Sequence, residues 1–333
     1  MAIATYNAQA HLHAAVASAL AQTLSDIEVV IVDDCSTDDT IGLATRLAKT
    51  DPRIVVDRLT SNGGPAAARN RALALARGDW FAVLDSDDLY VPDRLQHLVT
   101  VADRVGADIV ADDMAVFDNS DPGHASFFLG RAAQARWIGP ADYLRETRMY
   151  GSGANLGYLK PMIRIDRLRD LDLRYDPSLR IAEDDDFVLR MLTQGMRYWL
   201  EPETGYAYRR HDNSTSHRLS SSNAAAILTA SARMIDTAAT EGADVRTLLR
   251  SRHAAFSTSN AFALLIDALK ARRVGTALRL AVQAPGTIPM LRMPISAALR
   301  RIARRPVTSM IAAEDPAAAV IVRRALAAAN GVA

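Results

Sequence analysis

The chain contains 333 residues, 49% of them hydrophobic, which is enough for about two domains with buried cores. Its formal net charge of +1 excludes the strongly basic composition of a general nucleic-acid binder. The single cysteine, Cys35, excludes a disulfide framework and a cysteine-based zinc site, and it fits a reducing cytoplasm.

Membrane-spanning and secretory segments are not expected. No stretch reaches the roughly 18 uninterrupted apolar residues of a membrane span. The N-terminus also lacks a basic segment followed by an apolar one. The sequence therefore predicts a cytoplasmic protein.

The first 110 residues alternate strands with helices, so we expect right-handed crossover units and a parallel sheet. The β-branched run 27–32 and the apolar run 80–84 are typical of buried strands. The predicted strands are 1–4, 27–32, 53–58 and 80–84, and the predicted helices are 11–22, 40–49, 66–76 and 92–104.

The pattern of residues 108–217 is less regular. Strands or short extended segments are predicted at 108–110, 114–117, 156–163, 198–200 and 204–209, and helices at 140–148, 165–171 and 187–194. Residues 211–217 are a polar loop that ends this half.

Beyond residue 218 the sequence is rich in alanine and predicted to be helical. Nine Lys and Arg residues but no Asp or Glu occur between Asp267 and Glu314, with apolar residues among them. The stretch 270–305 therefore predicts peripheral contact with an anionic membrane, on the inner face of the plasma membrane. The alternative is a helical appendage whose arginines are only solvated.

Acidic residues follow two of the predicted strands directly. Asp33 and Asp34 follow 27–32, and Asp85, Asp87 and Asp88 follow 80–84. Ligands of open α/β sheets bind at the carboxyl ends of the strands. Crowded carboxylates there repel one another, and a Mg²⁺ or Mn²⁺ ion with waters and a diphosphate would compensate them. For an isolated Asp-x-Asp, a solvated turn that caps the next helix is the alternative.

Several motifs occur together along the chain: Thr5-Tyr6-Asn7, Val32-Asp33-Asp34, Asn62-Gly63-Gly64-Pro65, Gly78-Asp79-Trp80 with Asp85-Ser86-Asp87-Asp88, and Glu183-Asp184-Asp185-Asp186-Phe187. In this order and spacing they resemble family 2 glycosyltransferases, which have the GT-A fold. More narrowly, the chain is similar to bacterial exopolysaccharide glycosyltransferases of the succinoglycan-assembly kind.

The resemblance covers about residues 1–217 and implies an α/β protein with a mostly parallel nucleotide-sugar-binding sheet flanked by helices. It implies a GT-A domain at 1–217, with a nucleotide-sugar half at 1–110 and an acceptor half at 111–217. An α-helical extension would follow at 218–333.

The resemblance also implies a donor site. Tyr6 would lie against the base, and Asp34 would accept the imide N–H of a uracil because a carboxylate is only an acceptor. Gly64 would let the backbone approach the nucleotide, and Arg69 would offer charge or hydrogen bonds beside it. Asp85 would contact the ribose or a metal-bound water.

Two of these donor-site residues have structural alternatives. Asp34 could cap the following helix, although Asp33 could do that instead. Arg69 could be an exposed helix residue.

For the metal, the resemblance implies Asp87 as a direct ligand of Mn²⁺ or Mg²⁺. Asp88 could be a second ligand or a helix cap. His211 could ligate the metal or touch the diphosphate, and its alternative is a solvated loop histidine.

Asp184 is the implied catalytic base of an inverting transfer. Glu183 or Asp185 could take that role instead, and Asp186 fits a supporting role in the next helix. An acidic first turn that suits the helix dipole is compatible with some of these acids.

The implied reaction moves a sugar, expected to be a hexose, from a nucleoside diphosphate sugar, expected to be UDP-linked. The acceptor would be a glycan or a polyprenyl-diphosphate-linked oligosaccharide in bacterial polysaccharide synthesis. A nucleotidyltransferase is one alternative, although 7–10 is not a Gly-rich phosphate loop. A degenerate glycan-binding or scaffold protein is another, because only four residues with Ala4 precede Thr5, where the family has a full strand ending in proline.

Overall fold

The computed structural model of the protein describes residues 1–118, 124–130, 133–147, 155–210, 220–238, 241–292 and 315–331. Among these, the residues within 1–147, 155–210 and 315–331 form a first compact unit, and those within 220–238 and 241–292 form a second. None of the helices in the described ranges has both the length and the apolar content needed to cross a bilayer.

The strands of the described residues all lie in the first unit. They are β1 (Ala2–Thr5), β2 (Val29–Asp33), β3 (Ile54–Arg58), β4 (Trp80–Ala82), β5 (Leu89–Tyr90), β6 (Ile109–Asp118), β7 (Ala125–Phe127), β8 (Arg136–Ile138), β9 (Met162–Arg164) and β10 (Tyr198–Arg210).

The helices occur in both units. They are α1 (Leu12–Leu20), α2 (Thr40–Ala48), α3 (Pro65–Leu75), α4 (Arg94–Val105), α5 (Pro140–Glu146), α6 (Ile165–Asp170), α7 (Glu183–Thr193), α8 (Ser221–Thr237), α9 (Ala243–Lys270), α10 (Val274–Gln283) and α11 (Pro316–Asn330). Helices α8 to α10 belong to the second unit, and α11 belongs to the first.

Residues 1–110 contain a parallel sheet in the order β1-β2-β3, as predicted for these three strands. The fourth predicted strand, 80–84, is instead the shorter β4, which lies in the second sheet and pairs antiparallel with β9. The apolar, β-branched sequence of β2 is buried along its whole length. Strand β1 is short, as expected, but it pairs with β2 from Ala2 to Thr5. A parallel bridge from Ala2 to Val83 connects this sheet to the end of β4. The carboxyl ends of β1 and β2 therefore lie beside the acidic segment that follows β4.

The second sheet is mixed, with the order β4-β9-β6-β10-β5, and with β7 on β6 and β8 on β10. Strands β6 and β10 are each continuous where the sequence predicts two short segments. The predicted segments 108–110 and 114–117 are separated by a gap that contains the acidic pair Asp112-Asp113. Asp112 is instead paired with the buried Arg94, so its charge is compensated inside the core and the strand continues.

Two predicted elements between residues 156 and 194 also differ. Residues 156–163 are not one strand: Leu156–Tyr158 is a 3₁₀ turn, and β9 begins only at Met162. Helix α7 begins at Glu183 rather than at residue 187, because Ala182 adopts a left-handed conformation with φ of 63° and acts as its N-cap. All four acids of the motif therefore occupy the first turn of α7.

Helix α11 completes the core of the first unit. Its buried residues are Ala318, Ala319, Val322, Ala325 and Ala329. They pack against residues of α1, β5, β6, β7 and β10, among them Leu89 and Phe117. Small side chains allow this close approach of a helix to a sheet. The sequence alone placed this helix in the extension at 218–333.

Candidate active site

The acids at the end of β2 organise the loops of the first sheet. Asp33 is fully buried and accepts hydrogen bonds from the backbone N–H and the hydroxyl of Ser36. Arg58 lies 3.2 Å from its Oδ2 atom. Asp33 therefore holds the turn after β2. It does not cap α2, whose first residue, Thr40, instead donates its backbone N–H to Asp38.

Asp34 holds the loop that begins α3. Its two oxygens accept the N–H groups of Gly63 at 2.7 Å and Gly64 at 2.8 Å. Gly64 has φ of 84°, a left-handed conformation that favours glycine. A Cβ atom at this position would also lie 3.2 Å from Cγ of Arg180. The predicted pair Asp34 and Gly64 is thus in direct contact, and Asp34 still has lone pairs for a ligand donor.

Tyr6 is the exposed aromatic residue at the end of β1, with 51% of its surface accessible. The next residue, Asn7, accepts hydrogen bonds from the backbone N–H and hydroxyl of Thr37. These bonds tie the loop after β1 to the loop after β2. Tyr6 therefore lies in a loop that is tied to the loop after β2, which contains Asp34.

Arg69 is buried, with 3% exposure, so the alternative of an exposed helix residue is wrong. From α3 it reaches Asp85 Oδ1 at 2.7 Å with Nη2, and Glu183 Oε1 at 2.5 Å and Asp184 Oδ1 at 2.9 Å with Nη1. Arg69 thus brings together acids from two motifs that are about 100 residues apart in the sequence.

Lys160 is a functional candidate that sequence reasoning missed. Its Nζ atom lies 2.7 Å from Asp184 Oδ2 and 2.9 Å from Asp85 Oδ2. The side chain is only 11% exposed. The available signal was a lysine inside the apolar run 156–163, where an ammonium needs a buried partner.

The charges of this cluster perturb one another. Burial raises the pKa of Asp85, but Lys160 and Arg69 together lower it well below its usual value. Burial lowers the pKa of Lys160, but Asp184 and Asp85 raise it well above its usual value. Burial raises the pKa of Glu183 and outweighs the effect of Arg69. Asp85 and Lys160 are therefore both charged at neutral pH.

Asp88 is turned into the protein. Its carboxylate accepts the hydroxyl of Tyr206 and the backbone N–H of Arg209, both at 2.7 Å. Burial, followed by the charges of Asp87 and Asp85, raises the pKa of Asp88 well above its usual value. It does not cap α4, whose N-cap is Asp93.

Asp87, between Asp85 and Asp88 in the sequence, is half-buried. Its backbone carbonyl accepts the Nε–H of Arg209 at 2.8 Å. No group of three or more His, Cys, Asp or Glu side chains in the described ranges is placed to hold a metal ion. The donor set fits an ion such as Mg²⁺ or Mn²⁺ that takes one carboxylate from the protein and its other ligands from waters and a diphosphate. His211, the other predicted ligand, lies outside the described residues.

The contacts connect the predicted residues at one edge of the first unit. Asp34 binds the start of α3, and Arg69 of the same helix binds Asp85 and Asp184. This is the edge where β1 and β2 end, as expected for the ligand-binding side of a parallel sheet.

Comparison with known proteins decides the family. The sequence model described as Glycosyl transferase family 2 matches residues 1–136. The succinoglycan biosynthesis protein ExoO of Rhizobium meliloti is 35% identical over 303 residues, which are 91% of this chain and 86% of ExoO. The chain belongs to glycosyl transferase family 2. It is therefore a glycosyltransferase, and the predicted resemblance is confirmed.

Solved structures of similar fold support the GT-A architecture. Residues 1–349 of S. aureus TarS in complex with UDP-GlcNAc have a TM-score of 0.64 at 21% identity, covering 86% of this chain and 80% of that one. The mannosyltransferase PcManGT from Pyrobaculum calidifontis, in complex with GDP-Man and Mn²⁺, has a TM-score of 0.53 at 20% identity, covering 97% and 84%. The family 2 enzyme described here thus has the predicted GT-A fold.

Proposed function

We propose that this glycosyltransferase is inverting and divalent-metal-dependent, and that it transfers a hexose from a UDP-sugar during bacterial exopolysaccharide synthesis. The acceptor is a glycan or a polyprenyl-diphosphate-linked oligosaccharide. The observation that carries the proposal is the contact of Arg69 and Lys160 with both Asp85 and Asp184. This contact joins the donor half to the first turn of α7. Similarity to ExoO supports exopolysaccharide synthesis, and the UDP-GlcNAc complex of TarS supports a UDP-linked donor.

The donor binds along the ends of β1 and β2. The base stacks on Tyr6, and its imide N–H donates to Asp34, whose position the N–H groups of Gly63 and Gly64 already hold. The diphosphate and sugar extend past Gly64 toward Asp85, which contacts the ribose or a metal-bound water.

Asp87 is the proposed metal ligand, because Asp85 is engaged by two cations and Asp88 faces Tyr206. When bound there, Mg²⁺ or Mn²⁺ supplies Lewis-acid stabilisation of the charge on the diphosphate. His211 remains a proposed second ligand from the sequence.

Asp184 is the proposed general base. It accepts the proton of the acceptor hydroxyl as that oxygen forms a bond to the anomeric carbon and the bond from that carbon to the diphosphate breaks. A single displacement from the opposite side inverts the configuration. Arg69 and Lys160 each contact one oxygen of Asp184, and a carboxylate retains further lone pairs for the incoming proton.

Family membership favours glycosyl transfer over the nucleotidyl transfer considered from the sequence. The contacts that unite Asp85 and Asp184 favour an active enzyme over a degenerate glycan-binding scaffold.

A panel of UDP-, GDP- and dTDP-sugars with Mn²⁺, Mg²⁺ or EDTA tests the donor. Binding to the native state alone adds about 2.7 kcal/mol of stability at 100 times the Kd. We therefore expect a UDP-hexose with Mn²⁺ or Mg²⁺ to raise the Tm by a few degrees, and EDTA to abolish the rise. Calorimetry that detects no binding of any sugar nucleotide would contradict the proposal, and selective binding of GDP-sugars would replace the UDP assignment.

We further infer that the enzyme works at the cytoplasmic face of the membrane, held there by the second unit. Val274, Leu278 and Val282 lie four residues apart along α10 and are 73%, 67% and 76% exposed. The opposite side of α10 packs through Ala277 and Leu280 onto α9. An exposed apolar stripe beside basic residues fits an anionic lipid surface. The basic residues that neighbour this stripe in the sequence are Lys270, Arg272, Arg273, Arg279 and Arg292. Residues 293–305 of the predicted stretch lie outside the described residues.

Leu278→Glu tests this membrane contact. The change removes an apolar side chain worth about 1.5–3 kcal/mol when buried and adds repulsion from anionic lipid. We expect co-sedimentation with phosphatidylglycerol vesicles to weaken by at least about tenfold. Val320→Glu, at an exposed position of α11, is the matched control and should sediment like the unchanged protein. Equal sedimentation of all three proteins would refute the contact.

A further inference from the structure

Arg69, Asp85, Lys160 and Asp184 form a closed ring of alternating charge. Each carboxylate has one oxygen on Arg69 and the other on Lys160, at distances from 2.7 to 2.9 Å. Arg69 also contacts Glu183, so two cations face three carboxylates. Of the two cations, Arg69 forms an ion pair with Glu183 as well, whereas the ion pairs of Lys160 are with Asp85 and Asp184.

Lys160 is held in place by its own surroundings. Its backbone carbonyl accepts Nη2–H of Arg94 at 2.6 Å. Arg94 is buried and paired with Asp112 at 2.7 Å. Pro161 follows Lys160 and favours an extended backbone at that position. The ammonium therefore projects from a fixed point of the chain rather than from a free loop.

Gly205 shows how tightly this support is packed. A Cβ atom at that position would lie 2.6 Å from both Cγ of Arg94 and Oδ2 of Asp112. The chain thus uses a residue without a side chain to admit a buried ion pair, and that pair anchors the backbone of Lys160.

We infer that Lys160 is a positioning residue that fixes the carboxylate of Asp184 for proton transfer. This inference rests on the proposed function, in which Asp184 is the base. Without the ammonium, the carboxylate of Asp184 keeps Arg69 as its one cation among the described residues, and Arg69 also binds Asp85 and Glu183. Its carboxylate can then rotate away from the acceptor hydroxyl. A displacement of about 1 Å from the reactive geometry can lower a rate about 10²-fold.

The donor side depends less on Lys160. The backbone N–H of Asp85 lies 3.2 Å from the hydroxyl of Tyr206, and the carbonyl of Asp85 accepts the N–H of Asp88 at 3.1 Å. These bonds hold the main chain of Asp85 when Lys160 is removed, and its Oδ1 atom keeps the contact with Arg69 at 2.7 Å. Removal of Lys160 should therefore affect turnover more than donor binding.

Other titratable groups of the described residues also surround the ammonium. The electrostatic surroundings of Lys160 include Arg69 from α3, Glu183 from α7 and Tyr208 from β10. Tyr175, from the segment before α7, also interacts electrostatically with Lys160. Of these four residues, only Arg69 contacts both Asp85 and Asp184, as Lys160 does.

Lys160→Met and Lys160→Arg in the full chain test the inference. Methionine has a similar length without the charge, and arginine keeps the charge. We expect Lys160→Met to lower kcat by about 10²-fold while the Kd of the donor nucleotide, measured by calorimetry, changes less than about threefold. Lys160→Arg should retain at least about ten times the kcat of Lys160→Met. Rates are normalised to the nucleotide-binding stoichiometry, and Lys160→Gln replaces the methionine variant if that variant does not fold.

Arg164→Met is the matched control. Arg164 lies four residues away in β9, contacts Asp103 and Trp80, and is expected to be dispensable for turnover. A Lys160→Met enzyme with unchanged kcat, or with a Kd that rises as much as kcat/KM falls, would overturn the inference. Equal losses in the methionine and arginine variants would overturn it as well. Unmodified protein that transfers no sugar would instead overturn the proposed function, and this inference with it.

Discussion

Asp184→Asn is expected to lower kcat by about 10²–10⁴-fold, the usual contribution of a general base, and to leave donor binding intact. Asparagine keeps the shape of the side chain but cannot accept the proton of the acceptor hydroxyl. It also retains one oxygen for Arg69 or Lys160, which both contact Asp184. Sugar transfer under saturating donor measures the effect, and calorimetry with the nucleotide shows whether the donor site is preserved.

Asp186→Asn is the control for this change. Asp186 lies in the same turn of α7, but it pairs with Arg190 at 2.8 Å rather than with the ring. We expect this variant to keep kcat within about threefold of the unchanged enzyme, consistent with a support role outside the reaction. Retained turnover in Asp184→Asn together with loss in Asp185→Asn would assign the base to Asp185.

Asp87→Ala should abolish the metal-dependent part of nucleotide binding and transfer. A metal ion that stabilises a leaving diphosphate contributes several kcal/mol, so its loss corresponds to about 10³-fold in kcat/KM. Titrating Mn²⁺ in the presence of the donor measures the effect on both affinity and rate. For the variant, the nucleotide affinity and the transfer rate in Mn²⁺ should equal those in EDTA.

Asp79→Asn is the matched control for the metal site. Asp79 is an exposed acid at the other end of β4, so its removal changes the net charge equally but leaves the donor edge unchanged. It should keep the full response to Mn²⁺. If Asp87→Ala kept that response too, Asp87 would not be a ligand, and the metal role would pass to other residues.

Much of the nucleotide half could be predicted from the sequence because its signals are local. The β-branched run of β2 is buried on both faces, and that pattern alone identifies a central parallel strand. Acids directly after such strands lie at the ligand-binding edge whatever the remaining fold is. The family motifs are equally local, so the resemblance predicted Asp34, Gly64 and Asp85 as donor-site residues before any contact was known.

Long-range pairing decided the elements that were predicted differently. Asp112 suggests a break in β6 until Arg94, 18 positions earlier, is seen to neutralise it. The start of α7 depends on the left-handed conformation of Ala182, which an alanine rarely adopts without tertiary support. Helix α11 carries only the general signal of an Ala-rich helix, and its place on the first unit depends on the sheet face that it covers.

The sequence by itself determined the family, the α/β class and the identity of the acids, because each depends on residues that are neighbours along the chain. Only the tertiary structure decided which cations those acids face. Arg69 and Lys160 are 91 positions apart in the sequence, and each is 24 or more positions from Asp184, the acid that they share. Charges so far apart in the chain meet only when α3, α7 and the segment before β9 have packed, because a buried carboxylate is stable there only with its cations already in place.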